Sequence, residues 1–343
     1  MAEPKNTVRI EISSKTVIFI IGVIAGTWFL IQIKEIIILT FIAVIILSAL
    51  LKPVEWLTAK GIPRVLSVIL MYLGLIIVIS LAIAVIIPPL ITQTTDFVSR
   101  FPQISTSIND FFLFHKIPME DISSIIARQL QSIVGNVISI STTIFSSIFL
   151  ILTLFVLSFY FLLEWKMLVK FISSPFSGKQ EKKIAAIVTK VELGLGKWIR
   201  GQLTLSLVVG IMSFVGLSIL GFPYAIPLAI IAAILEIIPI VGPIVSAVPA
   251  ILVGLTFSPI MGLAAAALYL IIQQAENNLI VPFVMSKVVG LKAPIIIIAL
   301  LIGSKLAGIG GAFLAIPLIV VGRIIITEIF MEDQKLEEEL IEQ

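Results

Sequence analysis

Long apolar segments recur along this chain, and they restrict its fold more than any other feature. A helix needs about 20 mostly apolar residues to cross the hydrocarbon core of a bilayer. The apolar segments cover residues 16–33, 36–51, 65–90, 144–163, 203–220, 225–256, 260–281 and 294–330. Hydrophobic residues make up 59% of the chain and charged residues 13%, so a soluble core could not bury this much apolar surface. We therefore predict an all-α integral membrane protein with about eight membrane segments.

Lysine and arginine residues in the connecting segments predict how the chain crosses the membrane. Segments 1–15 and 52–64 each contain three basic residues, and segment 164–202 contains eight against three acidic residues. Cytoplasmic loops are enriched in lysine and arginine. We therefore expect these segments and both termini on the cytoplasmic side of a bacterial-type inner (plasma) membrane. Only a few residues separate the first two apolar segments, and we expect a tight helical hairpin there.

The same pattern divides the chain into consecutive parts. Residues 1–90 would form a cytoplasmic tail and the first three membrane helices, and 91–140 an extracytoplasmic helical insert. Residues 141–202 would form a fourth membrane helix and a basic, amphipathic cytoplasmic helix, 203–330 the core, and 331–343 an acidic cytoplasmic tail. Apolar residues from Asp121 to Val137 in the insert recur at helical spacing. That helix could lie on the membrane surface or cover a translocation path, and both interpretations stay open.

Two of the apolar segments are too long and too interrupted to be single straight helices. Segment 225–256 would be about 48 Å long and segment 294–330 about 55 Å as ideal helices. The first is interrupted by Pro239, Gly242 and Pro243, and the second by Gly303, Gly308 and Gly311, with Pro317 following. Each segment could be a re-entrant hairpin or one kinked span, and we favour hairpins that open from opposite sides. Paired interruptions of this kind are typical of transporter binding sites.

Polar residues within the apolar segments are the candidate binding residues. A charge at the centre of a membrane helix costs about 2.5–3.5 kcal/mol on insertion scales, so such side chains must face protein or water. Glu236 precedes the first interruption, Lys305 lies in the second, and Gln273, Glu276 and Asn277 share one face of the segment between them. These five residues could bind a small polar solute or an ion. Alternatively, they could form an interhelical hydrogen-bond cluster in which a glutamate pairs with Lys305.

The residue inventory excludes several classes of function. The chain has no phosphate-binding loop of the G-x-x-x-x-G-K-[ST] type, so it is not itself an ATPase. It has no cysteine, no H-E-x-x-H motif and no aspartate in any apolar segment, and its single histidine, His115, lies in the insert. We therefore expect no enzyme activity, catalytic residue, metal or cofactor, and no nucleic-acid partner. A channel stays open as an alternative, although no repeated filter sequence favours one.

Several motifs, in this order and spacing, resemble the autoinducer-2 exporter family of bacterial and archaeal membrane proteins. They are Lys60-Gly61-Ile62-Pro63-Arg64, Glu236-Ile-Ile-Pro239-Ile-Val-Gly242-Pro243, Gln273-x-x-Glu276-Asn277-x-Leu-Ile-x-Pro282, Gly290-Leu-x-x-Pro294 and Gly303-x-x-x-x-Gly308-x-x-Gly311-x-x-x-x-x-Pro317. The resemblance covers residues 15–330. It implies a secondary transporter with around eight membrane segments, export of autoinducer-2 or sodium(lithium)/proton antiport, and a homo-oligomer, with pentamers implied for the exporters.

Together these observations predict a secondary transporter or exporter of a small polar solute. Glu236 and Glu276 would be its polar or proton-coupling groups. The positions expected to act as hinges and breaks are Pro239, Gly242, Pro243, Pro282, Gly303, Gly308, Gly311 and Pro317. A sodium/proton antiporter and a membrane scaffold that transports nothing remain the alternatives. The predicted partners are the lipid bilayer, the solute or Na⁺ and H⁺, and further copies of the chain.

Overall fold

The computed structural model describes residues 14–114, 148–239, 241–285 and 293–341, and nearly all of these residues are helical. A π-helical turn, Glu276–Ile280, lies between the helix that ends at Ala275 and the helix that begins at Val281. The helices are α1 (Ser14–Gln32), α2 (Lys34–Ala59), α3 (Arg64–Phe114), α4 (Ile148–Leu163), α5 (Trp165–Ser173), α6 (Lys179–Ile219), α7 (Ala225–Leu235), α8 (Val241–Phe257), α9 (Pro259–Ala275), α10 (Val281–Met285) and α11 (Ala293–Ile341). The described ranges contain no β-strand.

The predicted all-α membrane class is confirmed. In the described ranges, six helices are long and apolar enough to cross a membrane, or seven if α4 and α5 count as one bent span. Helices α7 and α8 are apolar but shorter. Helix α3 continues without a break through residues 91–114, which belong to the predicted insert. His115 and the expected helix from Asp121 to Val137 lie outside the described residues.

The predicted tight hairpin between α1 and α2 is wrong. The backbone N–H of Ile33 donates to the carbonyl of Phe29, and the N–H of Ile37 donates to the carbonyl of Ile33. These helical hydrogen bonds carry the chain onward through Ile33, so α1 does not fold back onto α2. None of the residues in the apolar span of α1 is buried. A short polar link was therefore insufficient to predict a turn.

Three buried clusters hold the helices together. The first joins α2, α6 and the two parts of α11, before Ala307 and after Gly308, around Trp198. The second joins α6, α7, α8 and α9 around Leu228, and the third joins α2, α3, α4 and α5 around Leu162. Helix α6 contributes to all three clusters, so it is the central element of the fold.

The first interrupted segment is a tight helical hairpin. Helix α7 ends at Leu235 and α8 begins at Val241, and the two helices pack against each other. A Cβ atom added at Gly242 would lie 2.2 Å from the carbonyl oxygen of Leu235. Only glycine allows this close return of the chain, and the break therefore lies where the prolines and the glycine predicted it.

The second interrupted segment also folds back on itself, within α11. Ala307 (φ −144°, ψ 27°) and Gly308 (φ 59°, ψ −139°) leave the helical conformation. A Cβ atom added at Gly311 would lie 2.0 Å from the carbonyl oxygen of Gly303. In a straight helix these residues would be about 12 Å apart along the axis. The segment is therefore a second hairpin, with one arm before Ala307 and one after Gly308.

Candidate functional site

The structure brings Glu236 and Glu276 together in the protein interior. Glu236 caps the C-terminal end of α7 at the tip of the first hairpin, and its side chain is 0% exposed. Glu276 begins the π-helical turn after α9 and is 2% exposed. The two carboxyl groups lie close enough to each other for their charges to interact. This pair is the candidate site.

The lengths of the surrounding helices favour a position within the hydrocarbon core for both glutamates. Helix α7 has 11 residues and is about 16 Å long, which is about half of a hydrocarbon core of about 30 Å. Its C-terminal end, with Glu236, therefore lies near the middle of the bilayer if the other end is at a surface. The apolar span that includes α9 covers residues Pro259–Val284. Glu276 is about 7 Å along the axis from the midpoint of that span.

The π-helical turn sets the position of Glu276. The backbone N–H of Val281 donates to the carbonyl of Glu276, five residues back instead of the usual four. One extra residue in the turn changes which side chains face the interior. Such turns are short and rare in proteins as a whole. Those that occur are often found at functional sites. Here the turn begins at the buried glutamate, directly before the exposed Asn277.

Gln202 of α6 connects the central helix to the site. Its side chain is fully buried, and its Nε2 donates a hydrogen bond to the backbone carbonyl of Glu236. The Oε1 atom of Gln202 has no donor among the described residues, and neither does the Oγ of Ser206 one turn later. The amide therefore presents an oxygen acceptor beside the hairpin tip. It was not among the predicted site residues.

Within the described ranges, no basic side chain compensates the charge of the pair. Among the described residues, no donor hydrogen-bonds either carboxyl oxygen of Glu236, and no lysine or arginine interacts with either carboxyl group. Lys305 is exposed on the first arm of α11. The alternative in which Lys305 pairs with one of the glutamates is therefore not observed in the described part of the chain.

The remaining predicted residues take different positions. Gln273 is half-buried, and its Nε2 lies 3.5 Å from Oδ1 of Asn277, which is exposed. Asn278 donates to Gln274 at 3.0 Å, and both are exposed. The polar run is therefore split: Glu276 faces inward, while Asn277 and two further amides face outward.

The predicted hinge residues lie at or near the two hairpins. Pro239, Gly242 and Pro243 surround the tip next to Glu236, and Gly303, Gly308 and Gly311 form the second hairpin. Pro282 lies in α10, and Pro317 lies within the second arm of α11 without interrupting it. Ile238, two residues after Glu236, is buried in one cluster with residues of both α11 arms, among them Leu300 and Ala312. The tip of the first hairpin and both arms of the second therefore contribute to one buried cluster.

A second buried carboxylate lies on the charged half of α6, outside the apolar part of that helix. Glu192 is buried and is flanked by Glu55 and Lys52 of α2 and by Arg200 of α6. Burial raises the pKa of Glu192 to about 7; Glu55 adds to the increase, while Arg200 and Lys52 oppose it. This carboxyl group is therefore poised to change its charge near neutral pH.

A family model described as "AI-2E family transporter" matches residues 17–331. The chain belongs to this family. The AI-2E family member is 30% identical to "Putative transport protein YrrI" of Bacillus subtilis over 300 residues, which cover 84% of the chain and 85% of the relative. It is 33% identical to "Putative transport protein YueF" of the same organism over 294 residues, or 79% and 78% of the two chains. "Putative transport protein YhhT" of Escherichia coli is 22% identical over 272 residues, or 77% and 76%.

These matches confirm the predicted family. The names of the relatives indicate transport and give no substrate. The match to the AI-2E family model includes both hairpins and both glutamates of the candidate site. The multi-span structure and the family together fit a plasma-membrane transporter.

Proposed function

We propose that this AI-2E family member is a secondary transporter that moves a small polar solute across the plasma membrane without ATP. The observation that carries the proposal is the buried pair of Glu236 and Glu276 at the tip of a broken membrane hairpin. By the resemblance of its motifs, we propose autoinducer-2 or a similar small polar molecule as the solute and export as the direction.

The pair supports coupling to a proton. Two carboxylates in a site of low dielectric constant repel each other strongly and cannot both stay ionised without a partner. A shared proton relieves this repulsion and provides the donor that the carboxyl oxygens of Glu236 otherwise lack. A group that binds a proton only when its surroundings are closed can link proton movement to a conformational change.

The two hairpins supply the moving part of the proposed mechanism. Each is broken where glycine or proline prevents a continuous helix, and they share one buried cluster through Ile238. We propose that one hairpin slides or rocks against the other and opens the site to each side in turn. Proton binding at Glu276 would favour one arrangement, because it changes the charge next to Glu236 at the tip of the first hairpin.

Sodium(lithium)/proton antiport is a second candidate, and a specific arrangement favours it. The free Oε1 of Gln202 lies on the same side chain that binds the backbone of Glu236. Hard cations prefer oxygen ligands, and two carboxyl groups with an amide oxygen nearby are a suitable set. In this version, Na⁺ and a proton would alternate at the pair.

Exposed amides support an assembly of several copies. Gln274, Asn277 and Asn278 are exposed in the single chain, at a depth where lipid cannot satisfy their hydrogen bonds. A second copy or a water-filled path would satisfy them. We propose a homo-oligomer, a pentamer by the family resemblance, with both termini in the cytoplasm.

Reconstitution into proteoliposomes tests these alternatives. Efflux of loaded autoinducer-2 that responds to an imposed pH gradient would support the solute transporter. A change of internal pH under an imposed Na⁺ gradient, without solute flux, would support the antiporter instead. If neither flux exceeds that of protein-free liposomes, both transport proposals fail in favour of a scaffold.

A further inference from the structure

Helix α5 is short and lies at nearly a right angle to the helix before it. The apolar α4 ends at Leu163, and α5 begins at Trp165 after a bend of 83°. We take the strongly apolar α4 as the part that crosses the membrane, and a helix at this angle to it then runs close to the membrane plane. Helix α5 also starts where the apolar segment ends and the basic segment begins. It therefore lies at the level of the lipid headgroups.

The side chains of α5 divide into three stripes. Trp165, Leu168 and Val169 face the interior and pack in the cluster that includes Val188 of α6. The exposed half carries one stripe of lysines, at positions 166 and 170, and one stripe of large apolar side chains, at positions 167 and 171. Residues four apart lie above one another on a helix, so each stripe is continuous.

The apolar stripe is too exposed for a helix that faces water. Met167 is 68% exposed and Phe171 is 75% exposed, and Phe176 follows shortly after the helix. In the described part of the chain, no carboxylate forms an ion pair with Lys166 or Lys170. A lysine stripe beside an aromatic and aliphatic stripe is typical of helices that lie in a membrane interface.

We propose that α5 is an interfacial helix that binds anionic phospholipids of the cytoplasmic leaflet. Met167 and Phe171 insert among the upper acyl chains, while Lys166 and Lys170 contact the phosphates. The complementarity of charge favours anionic over zwitterionic lipids. The bend directly after a membrane helix favours lipid over a soluble protein as the occupant, because it places the apolar stripe against the bilayer.

This lipid contact has a consequence for the central helix. Trp165 and its neighbours fix α5 against α6, and α6 carries Gln202 some way along the same helix. An anchored α5 therefore holds the cytoplasmic end of α6 at a constant depth. The inference rests on the geometry of α5 and is independent of the proposed solute.

The depth of the helix can be measured directly because the chain has no cysteine. Nitroxide labels on the full-length variants Phe171→Cys and Lys170→Cys, in nanodiscs, report contact with oxygen, which concentrates in lipid, and with a water-soluble nickel complex. We expect the label at position 171 to favour oxygen and the label at position 170 to favour nickel. Equal nickel contact at both positions would overturn the proposal and leave the stripe open to a soluble partner.

Lipid selectivity tests the lysines. A bimane fluorophore on Phe171→Cys is quenched by brominated phosphatidylglycerol or brominated phosphatidylcholine in mixed vesicles. We expect a preference of about fivefold per lysine for phosphatidylglycerol at low salt, and its loss in the Lys166→Gln/Lys170→Gln variant. The control Lys60→Gln, directly after α2, should keep the preference. An equal preference in the double variant and the control would contradict the role of these lysines.

Discussion

The second hairpin depends on a contact between two glycines, and replacing one of them tests the fold sharply. In Gly311→Ala the new Cβ would lie 2.0 Å from the carbonyl oxygen of Gly303. A carbon atom and a carbonyl oxygen approach normally to about 3.3 Å. The two arms of α11 must therefore separate by about 1.3 Å. The obstacle is backbone, so no side-chain rotation can relieve it.

We expect this separation to destabilise the protein by about 2–3 kcal/mol, as overpacking does in closely packed cores. Thermal unfolding of the purified protein measures the loss. Tryptophan fluorescence is a suitable probe, because Trp198 packs against Phe313 of the second arm with ring centroids 6.0 Å apart. A lower unfolding temperature should accompany a change in that signal.

The adjacent glycine provides a matched control. A Cβ added at Gly310 would meet no atom within 4 Å. Gly310→Ala should therefore leave the unfolding temperature unchanged or raise it slightly, since alanine favours a helix. If Gly311→Ala unfolds at the same temperature as Gly310→Ala, the close contact of the two arms does not exist in the protein.

Three further variants test other parts of the structure. Gly242→Ala should reduce both folded yield and transport, as measured by size-exclusion chromatography and flux, because its Cβ has no room at the first hairpin tip. Gln202→Leu removes the donor to the backbone of Glu236 and should lower the free energy of unfolding by about 1–3 kcal/mol in chemical denaturation. Glu192 binds its proton more tightly in the folded state, so its contribution to stability should be fully present below about pH 4.5. That contribution should be lost as pH rises through about 7, by up to about 3 kcal/mol. Glu192→Gln should flatten that dependence between pH 5 and 8.

Much of the architecture could be predicted from local chemistry. Proline and glycine in segments too long for one crossing predicted both breaks, since proline removes a helical hydrogen bond and glycine allows the chain to leave the helical conformation. The sequence alone could not decide between a hairpin and a kinked span. That decision depends on contacts between distant backbone atoms, such as those of Gly303 and Gly311.

The candidate site was only partly predictable. Carboxylates in apolar segments are costly enough to stand out, and this cost identified Glu236 and Glu276. Gln202 could not be recognised in the same way, because it lies where the charged half of α6 passes into the apolar half. A polar residue at that position is expected at the end of any membrane segment. The spacing of Gln202 and Ser206 on one helix face was the available signal. The Glu276 side chain faces the interior and the Asn277 side chain faces outward because of the π-helical turn. Side-chain periodicity in the sequence does not reveal such a turn.

The wrong prediction of an α1–α2 hairpin has a simple physical cause. A short polar link interrupts hydrophobicity without interrupting helical hydrogen bonds, and Ile33 keeps those bonds on both sides. Charged residues mark a boundary of the apolar segment, whereas proline or glycine marks a boundary of the helix.

We propose that Glu236 and Glu276 form the coupling site, and flux through variants tests this role most directly. Wild type, Glu236→Gln, Glu276→Gln and the exposed control Glu35→Gln would be reconstituted at equal protein density. Solute efflux and internal pH would be followed together under an imposed pH or Na⁺ gradient. We expect each variant of the pair to lose gradient-driven flux by at least about tenfold while keeping the tryptophan spectrum of the folded protein, and Glu35→Gln to match wild type. Full gradient-driven flux in Glu276→Gln would contradict the claim.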